Sequence, residues 1–219
     1  MTVSKERRPY HAPRRAEQAA ATRDAIISAA LRLFAGHGYA ATTMAMIAAE
    51  ARVTPKSVYS LAEKPQLLLL AVDRAIVGDD EPVALADRPE MRAILAAGDP
   101  QALARLAARL GARMLLRLYP IYRAFEQAAG TDPALREAWR DYQHRRRTDT
   151  RKVVRAVADL GGLRSGLSVE RATDTLWALV GWHPVALLVE ERGWGEAQLT
   201  RWLEDTFVAL LGVTAATGP

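Results

Sequence analysis

An all-α chain is predicted by three observations. Strand signals are nearly absent from the 219 residues, with few β-branched runs and no Asn-Gly or Asp-Gly hairpin turn. The chain is rich in Ala, Leu and Arg, residues that lose little on entering a helix. Its apolar residues recur at i, i+3 and i+4, the spacing that lines one helical face.

Taken in order, the elements read as follows. Ile26, Ala30, Leu33 and Phe34 form a first stripe, with Gly36 or Gly38 as its stop. Met44, Ile47, Ala48 and Ala51 form a second, entered through Thr42 or Thr43. A third short helix follows Arg52-Val53, and a longer one runs from Lys64 through Leu67, Leu68, Val72 and Ile76 to Gly78. The acidic, proline-bearing stretch "GDDEPVALADRPE" (78–90) marks a change of region. Beyond it, helices are expected near 90–97, 100–118, 120–129 and 132–160. After the turn "GGLRSGLS" (161–168), two more are expected at 168–192 and 195–212. Pro184 should kink the first of these near Gly181 or end it there.

Composition narrows the function classes. The chain has no cysteine, and its four histidines (His11, His37, His144, His183) show no metal-ligand spacing, so neither disulfides nor a metal is expected. No Gly-rich phosphate loop, nucleophile elbow or His/carboxylate pair points to an enzyme, and no cofactor is expected. The charged opening "MTVSKERRPYHAPRRAEQ" lacks the apolar core of a secretory signal. The greasiest stretch, "LWALVGWHPVALLV", is interrupted by His183 and Pro184 and falls short of the roughly 18 residues a span requires. A soluble cytoplasmic protein without membrane contact is expected. The net charge of +5 is concentrated: residues 1–64 carry ten Lys/Arg against five Asp/Glu, and the remainder is balanced at twenty of each. A polyanion is therefore expected to meet the first third.

The stretch "TTMAMIAAEARVTPKSVY" (42–59) carries the most information. Thr42 or Thr43 caps one short helix, Arg52-Val53 makes a tight turn, Thr54 caps the next, and Pro55 sits where its missing N–H costs nothing. Val53 and Val58 are spaced for a hydrophobic staple. Thr54, Lys56, Ser57 and Tyr59 are left outward near the start of the second helix. Two short helices with a polar, basic second entry suit a helix-turn-helix that presents its second helix to the major groove.

The wider stretch "IISAALRLFAGHGYAATTMAMIAAEARVTPKSVY" resembles the DNA-binding domain of the tetracycline-repressor (TetR) family. The marks are Leu33-Phe34, Gly38-Tyr39, Thr42-Thr43, Ile47-Ala48, Val53, Val58-Tyr59, and Lys64 with Leu67-Leu68, across roughly residues 20–75. The resemblance implies a helical homodimer with an N-terminal DNA-binding domain and a C-terminal effector domain. Carried over, it gives Thr43, Thr54, Lys56, Tyr59 and Lys64 roles at DNA phosphates or bases. Two departures stand out. The family's usual Ala-Gly-Val turn is Ala51-Arg52-Val53 here, which loads a non-glycine onto a tight turn and offers Arg52 to a phosphate. The segment "SLAEK" after Tyr59 is one residue short, which leaves the aim of Lys64 open.

The resulting expectation is a basic, disordered arm at 1–18, a helix-turn-helix domain at 19–77, and a helical ligand-binding and dimerisation domain at 78–219. Its expected partners are an operator duplex, a mostly apolar small effector, and a second copy of the chain. Candidate DNA residues are Thr43, Arg52, Thr54, Pro55, Lys56, Ser57, Tyr59 and Lys64. Tyr122, Trp139, Trp177 and Trp182 are candidate effector walls, with His183 and Arg113 as polar anchors; for each aromatic, core packing is the competing role. Arg105, Arg109, Arg113 and Arg117 form a basic stripe, and "HRRRT" (144–148) reads as a solvated face. Leu199, Trp202, Leu203, Thr206, Phe207 and Leu210 are the candidate dimer face. The competing expectation is a helical ligand-binding or scaffold protein whose basic head does not act on DNA.

Overall fold

Ten α-helices build the described residues of the computed structural model, 12–78 and 87–212. The first four are α1 (Ala12–Ala41), α2 (Met44–Ala51), α3 (Pro55–Leu61) and α4 (Lys64–Val77). Next come α5 (Pro89–Leu95), α6 (Pro100–Thr131) and α7 (Pro133–Asp159). Last are α8 (Val169–Leu179), α9 (Trp182–Ala186), which runs into a π-turn at Leu187–Glu191, and α10 (Glu196–Leu211). No helix among these residues is long and apolar enough to cross a membrane.

Local chemistry explains where these helices start and stop. Thr43, Thr54, Asp99, Asp132 and Ser168 each accept a bond from a backbone amide one turn on, supplying partners to otherwise orphaned donors. Of the two threonines ahead of α2, Thr43 is the cap. Thr42 is fully buried and donates to the Gly38 and Leu33 carbonyls instead. Gly38, at φ 79°, is the break inside α1, a backbone angle that suits glycine.

Two boundaries differ from expectation, and a third takes one of the two expected forms, the helix ending near Gly181. Residues 12–18, expected within a disordered arm, are already in α1; residues 1–11 lie outside the described residues, as does most of the acidic loop. The helices expected at 100–118 and 120–129 are one, because Pro120 does not stop α6. Leu115, Leu118, Ile121, Tyr122 and Phe125 on both sides of it are buried, and that packing holds the axis although the proline withholds a hydrogen bond. The helix expected at 168–192 ends at Leu179. Gly181 is extended, and the chain restarts as α9 with Pro184 inside it.

The apolar core crosses the expected domain boundary. Ile26, Phe34, Ile47, Val58, Leu67 and Leu68 of α1–α4 share one cluster with Leu118, Ile121, Tyr122, Phe125, Leu135 and Tyr142 of α6 and α7. A second cluster joins α5, α6, α7, α8 and the end of α10, and a third joins α6 to α9 and α10. Helix α6 is thus the spine on which both halves pack.

Candidate functional site

Helices α2 and α3 are held against α1 by the fully buried Ile47 and Val58, with Val53 packed at the rim of the same cluster. Anchoring one face in this way turns the other outward. Thr43, Thr54, Pro55, Lys56 and Tyr59 are exposed, Tyr59 at 53 % despite its ring, and Ser57 is half-buried. Thr54 accepts the Ser57 amide at 3.2 Å, and its hydroxyl lies 2.9 Å from the Ser57 hydroxyl. Ser60 donates back to the Lys56 carbonyl at 2.8 Å. The start of α3 is therefore internally ordered and polar, with an ammonium and a phenol projecting from it.

The turn is made in the way that the non-glycine requires. Arg52 sits at φ 57°, ψ 41°, the single described non-glycine residue with positive φ, and its amide caps the α2 carbonyls of Ala48 and Ala49. Its side chain is exposed beside α3. Lys64 is aimed differently from the others. Its ammonium lies 4.4 Å from the centre of the Tyr39 ring and 3.5 Å from the Ala40 carbonyl, and burial lowers its pKa. It ties α4 to the end of α1.

A cleft of about 570 Å³ lies along this face, between α3 and the first turns of α1. Thr54, Lys56, Ser57, Ser60 and Leu61 line one side, and Arg15, Gln18, Thr22 and Arg23 line the other. The α1 residues were not among the sequence candidates. Their signal is the spacing of polar groups at 15, 18, 22 and 23, one helical face, directly preceding the apolar stripe that begins at Ile26.

The effector candidates divide into two groups. Tyr122 and Trp139 are 5.7 Å apart edge to face, and Phe125 packs edge-on against both Trp139 and Tyr142. This is core, and burial pushes the Tyr122 phenol up to about 12. Trp177 and Trp182 belong to the junction of α7, α8 and α9, where the Arg146 guanidinium lies 5.0 Å from the Trp177 ring and donates to the Val180 carbonyl at 3.0 Å. Burial lowers the Arg146 pKa, opposed by the nearby Tyr122. The sequence places the run 144–148 on a solvated face; that holds for Arg147, which pairs with Asp174 and Glu170, but Arg146 turns inward.

Neither expected polar anchor faces inward. His183 is 64 % exposed, stacked on Trp182 and 3.3 Å from Glu126. Arg113 is exposed on α6. On the same stripe, Arg117 reaches the last carbonyls of α4, donating to Ala75 at 3.3 Å and Ile76 at 3.4 Å. That is a favourable place for a cation at a helix C-terminus.

The expected dimer face is corrected by the packing. Leu199 and Leu203 are fully buried in the chain's own core, where Leu203 packs against α6 beside Gly111. Phe207 is buried against α5–α8, Trp202 packs on the α6–α9 cluster, and the Thr206 hydroxyl is tied to the Trp202 carbonyl. The Leu210 side chain lies outside the described residues. The strongest apolar stripe of α10 thus serves the monomer. Among the described residues Leu179, Leu187 and Val208 are the large apolar side chains left exposed on α8, the π-turn and α10.

Residues 26–61 match the model of the bacterial regulatory proteins of the tetR family. That stretch holds the second half of α1 and the helices α2 and α3. No curated protein matches the chain by sequence. Among solved structures, a proposed TetR-family transcriptional regulator from Mesorhizobium loti is 22 % identical, with TM-score 0.67 over 90 % of this chain and 98 % of its own. A proposed transcriptional regulator from Saccharomonospora viridis in complex with choline is 20 % identical, with TM-score 0.68 over 87 % and 96 %. The SmeT–triclosan complex is 22 % identical, with TM-score 0.66 over 90 % and 96 %. These likenesses extend the TetR-type fold through α5–α10, well beyond the matched domain. Thr43, Arg52 and Thr54 to Tyr59 fall inside the TetR-family match; Lys64 and the α1 residues of the cleft fall outside it.

Proposed function

We propose that this chain is a ligand-responsive repressor that binds a palindromic operator as a homodimer and is released from it by a small-molecule effector. The observation that carries the reading is the cleft between α3 and the start of α1. An exposed recognition helix with Lys56 and Tyr59 faces a basic first helix across a space open to a duplex, in the part of the chain that holds all the excess positive charge. In this reading Lys56, Arg52 and the α1 arginines meet phosphates, and Thr54, Ser57 and Tyr59 approach base edges or the sugar-phosphate backbone. Lys64 acts from behind, by seating α4 on α1.

Effector response follows from the shared core. A ligand lodged among α6–α9 would strain the packing that also seats α4, and half-sites one helical turn apart tolerate little change in the spacing of two heads. The fold neighbours crystallised with choline and with triclosan support a small-molecule role for this architecture. Fluorescence anisotropy of the purified protein with DNA from its own upstream region is the test. Salt-sensitive, competitor-resistant binding with two protomers per site is expected; binding no tighter than to random duplex refutes the reading.

A further inference from the structure

We infer that the junction of α7, α8 and α9 around Arg146 is an anion site, which takes the carboxylate of an organic acid whose apolar part lies against Trp177 and Trp182. The inference rests on the reading of the C-terminal helices as an effector domain and names the chemical class of the effector.

Three consecutive arginines stand on α7. Arg145 lies over the Tyr142 ring at 4.2 Å, and Arg147 is neutralised by Asp174 and Glu170. Arg146, between them, turns into the protein, where it meets no carboxylate among the described residues. Its Nε donates to the Gln143 amide oxygen at 3.2 Å and its Nη1 to the Val180 carbonyl at 3.0 Å, both uncharged acceptors. A guanidinium carries five N–H groups, so two bonds to neutral acceptors leave donors that an anion can take.

The same junction holds two further donors. The indole N–H groups of Trp177 and Trp182 are both buried without an acceptor. They flank the break at Val180–Gly181, the segment the guanidinium touches: a Cβ on Gly181 would lie 4.0 Å from Arg146 Nη1. Buried donors without partners are rare in folded proteins, and the two indoles on this junction lack the same complement that the unspent donors of Arg146 can take. That complement accepts hydrogen bonds, donates none and carries negative charge. A carboxylate answers all three demands, taking a forked pair from arginine with lone pairs left for an indole. A quaternary ammonium answers neither the charge nor the donors, and a neutral sugar can accept hydrogen bonds but does not answer the charge. Arg146 covers one face of the Trp177 ring and His183 one face of Trp182, so the apolar part of the acid meets the remaining face of each indole.

The experiment uses the full-length protein with benzoate, phenylacetate and octanoate, each against its own amide, followed by tryptophan fluorescence and thermal shift. At least one acid is expected to change emission and raise the melting temperature, with its amide at least about tenfold weaker. Arg146→Gln should abolish that preference, Arg146→Lys should keep part of it, and Arg113→Gln should leave it intact. Trp177→Phe, which keeps a ring but loses the N–H, weakens the acid and serves if Arg146→Gln fails to fold. Equal binding of acids and amides, undiminished binding by Arg146→Gln or by Trp177→Phe, or no binding of any acid at millimolar concentration overturns the inference. Operator DNA in the same samples separates the two readings. Operator binding with no acid response removes the anion site and leaves the regulator; acid binding that never releases DNA removes the regulatory reading and leaves the site.

Discussion

Tyr142 of α7 donates its hydroxyl hydrogen to the carboxylate of Asp73 on α4. The phenol is 6 % exposed and its ring packs edge-on to Phe125, so the donor is held by the core, while the acceptor belongs to the helix that supports the reading head. Arg146, one helical turn along α7, touches the α8–α9 break. One short length of α7 therefore contacts both the α4 helix and the proposed effector junction, with Arg117 forming a second tie to the end of α4.

Removing the hydroxyl tests this link. Tyr142→Phe keeps the ring and deletes a hydrogen bond to a charged acceptor, which should cost roughly 1.5 kcal/mol. At this chain length the melting temperature should fall by about 3–6 °C. If the bond also transmits effector binding, the same variant should still bind DNA and effector while the effect of each on the other shrinks, which titrations in both orders would measure. An unchanged coupling would leave Tyr142 a purely structural residue.

The phenols carry a pH signature. Burial raises both Tyr122, to about 12 against an ordinary 10.0, and Tyr142, whose bond to Asp73 raises it further. Folding therefore favours their protonated forms. The resulting stability is present in full below pH 10 and is lost as pH rises from 10 through about 12. Ultraviolet titration should show these two ionising last and together with unfolding, and Tyr142→Phe should flatten the alkaline loss of stability.

At the reading head, Lys56→Ala and Tyr59→Phe should weaken operator binding with folding intact, because both side chains are exposed. A phosphate contact by Lys56 or Arg52 should lower the salt slope by roughly one per monomer when the side chain is removed. Arg52→Gly separates two effects at one position. Glycine relieves the left-handed backbone angle, so stability should rise by about 0.5 kcal/mol even as the salt slope falls. Replacing all three with no change in affinity or slope would place the interface elsewhere.

The dimer prediction follows from what α10 leaves outside. Leu203→Ala should open a cavity in the monomer core and cost about 3 kcal/mol, lowering the melting temperature on the order of 10 °C. Leu179→Asp with Val208→Asp changes two exposed positions and should keep the helical circular dichroism. If the outward side of α8 and α10 meets the second copy, light scattering of that double variant should show monomer. A persistent dimer would move the interface away from both residues.

Much of the reading head is legible in the chain because its determinants are local. Thr43 and Thr54 cap, Pro55 starts α3, and Val58 buries, each through partners within a few residues; Arg52 makes the turn within its own backbone. The C-terminal sites depend on distant partners. Periodicity reveals that Leu199, Leu203 and Phe207 share a buried face of α10, but burial against α6 and burial against a second copy impose the same spacing, and only the fold separates them. Pro120 marks a break by local rules, yet the buried residues on both sides carry α6 through it. Arg146 and Arg147 are neighbours of one type in one charged run. Which of them faces the Trp177 indole and which faces Asp174 is decided by where α8 crosses α7, a contact between residues about thirty positions apart that no local pattern encodes.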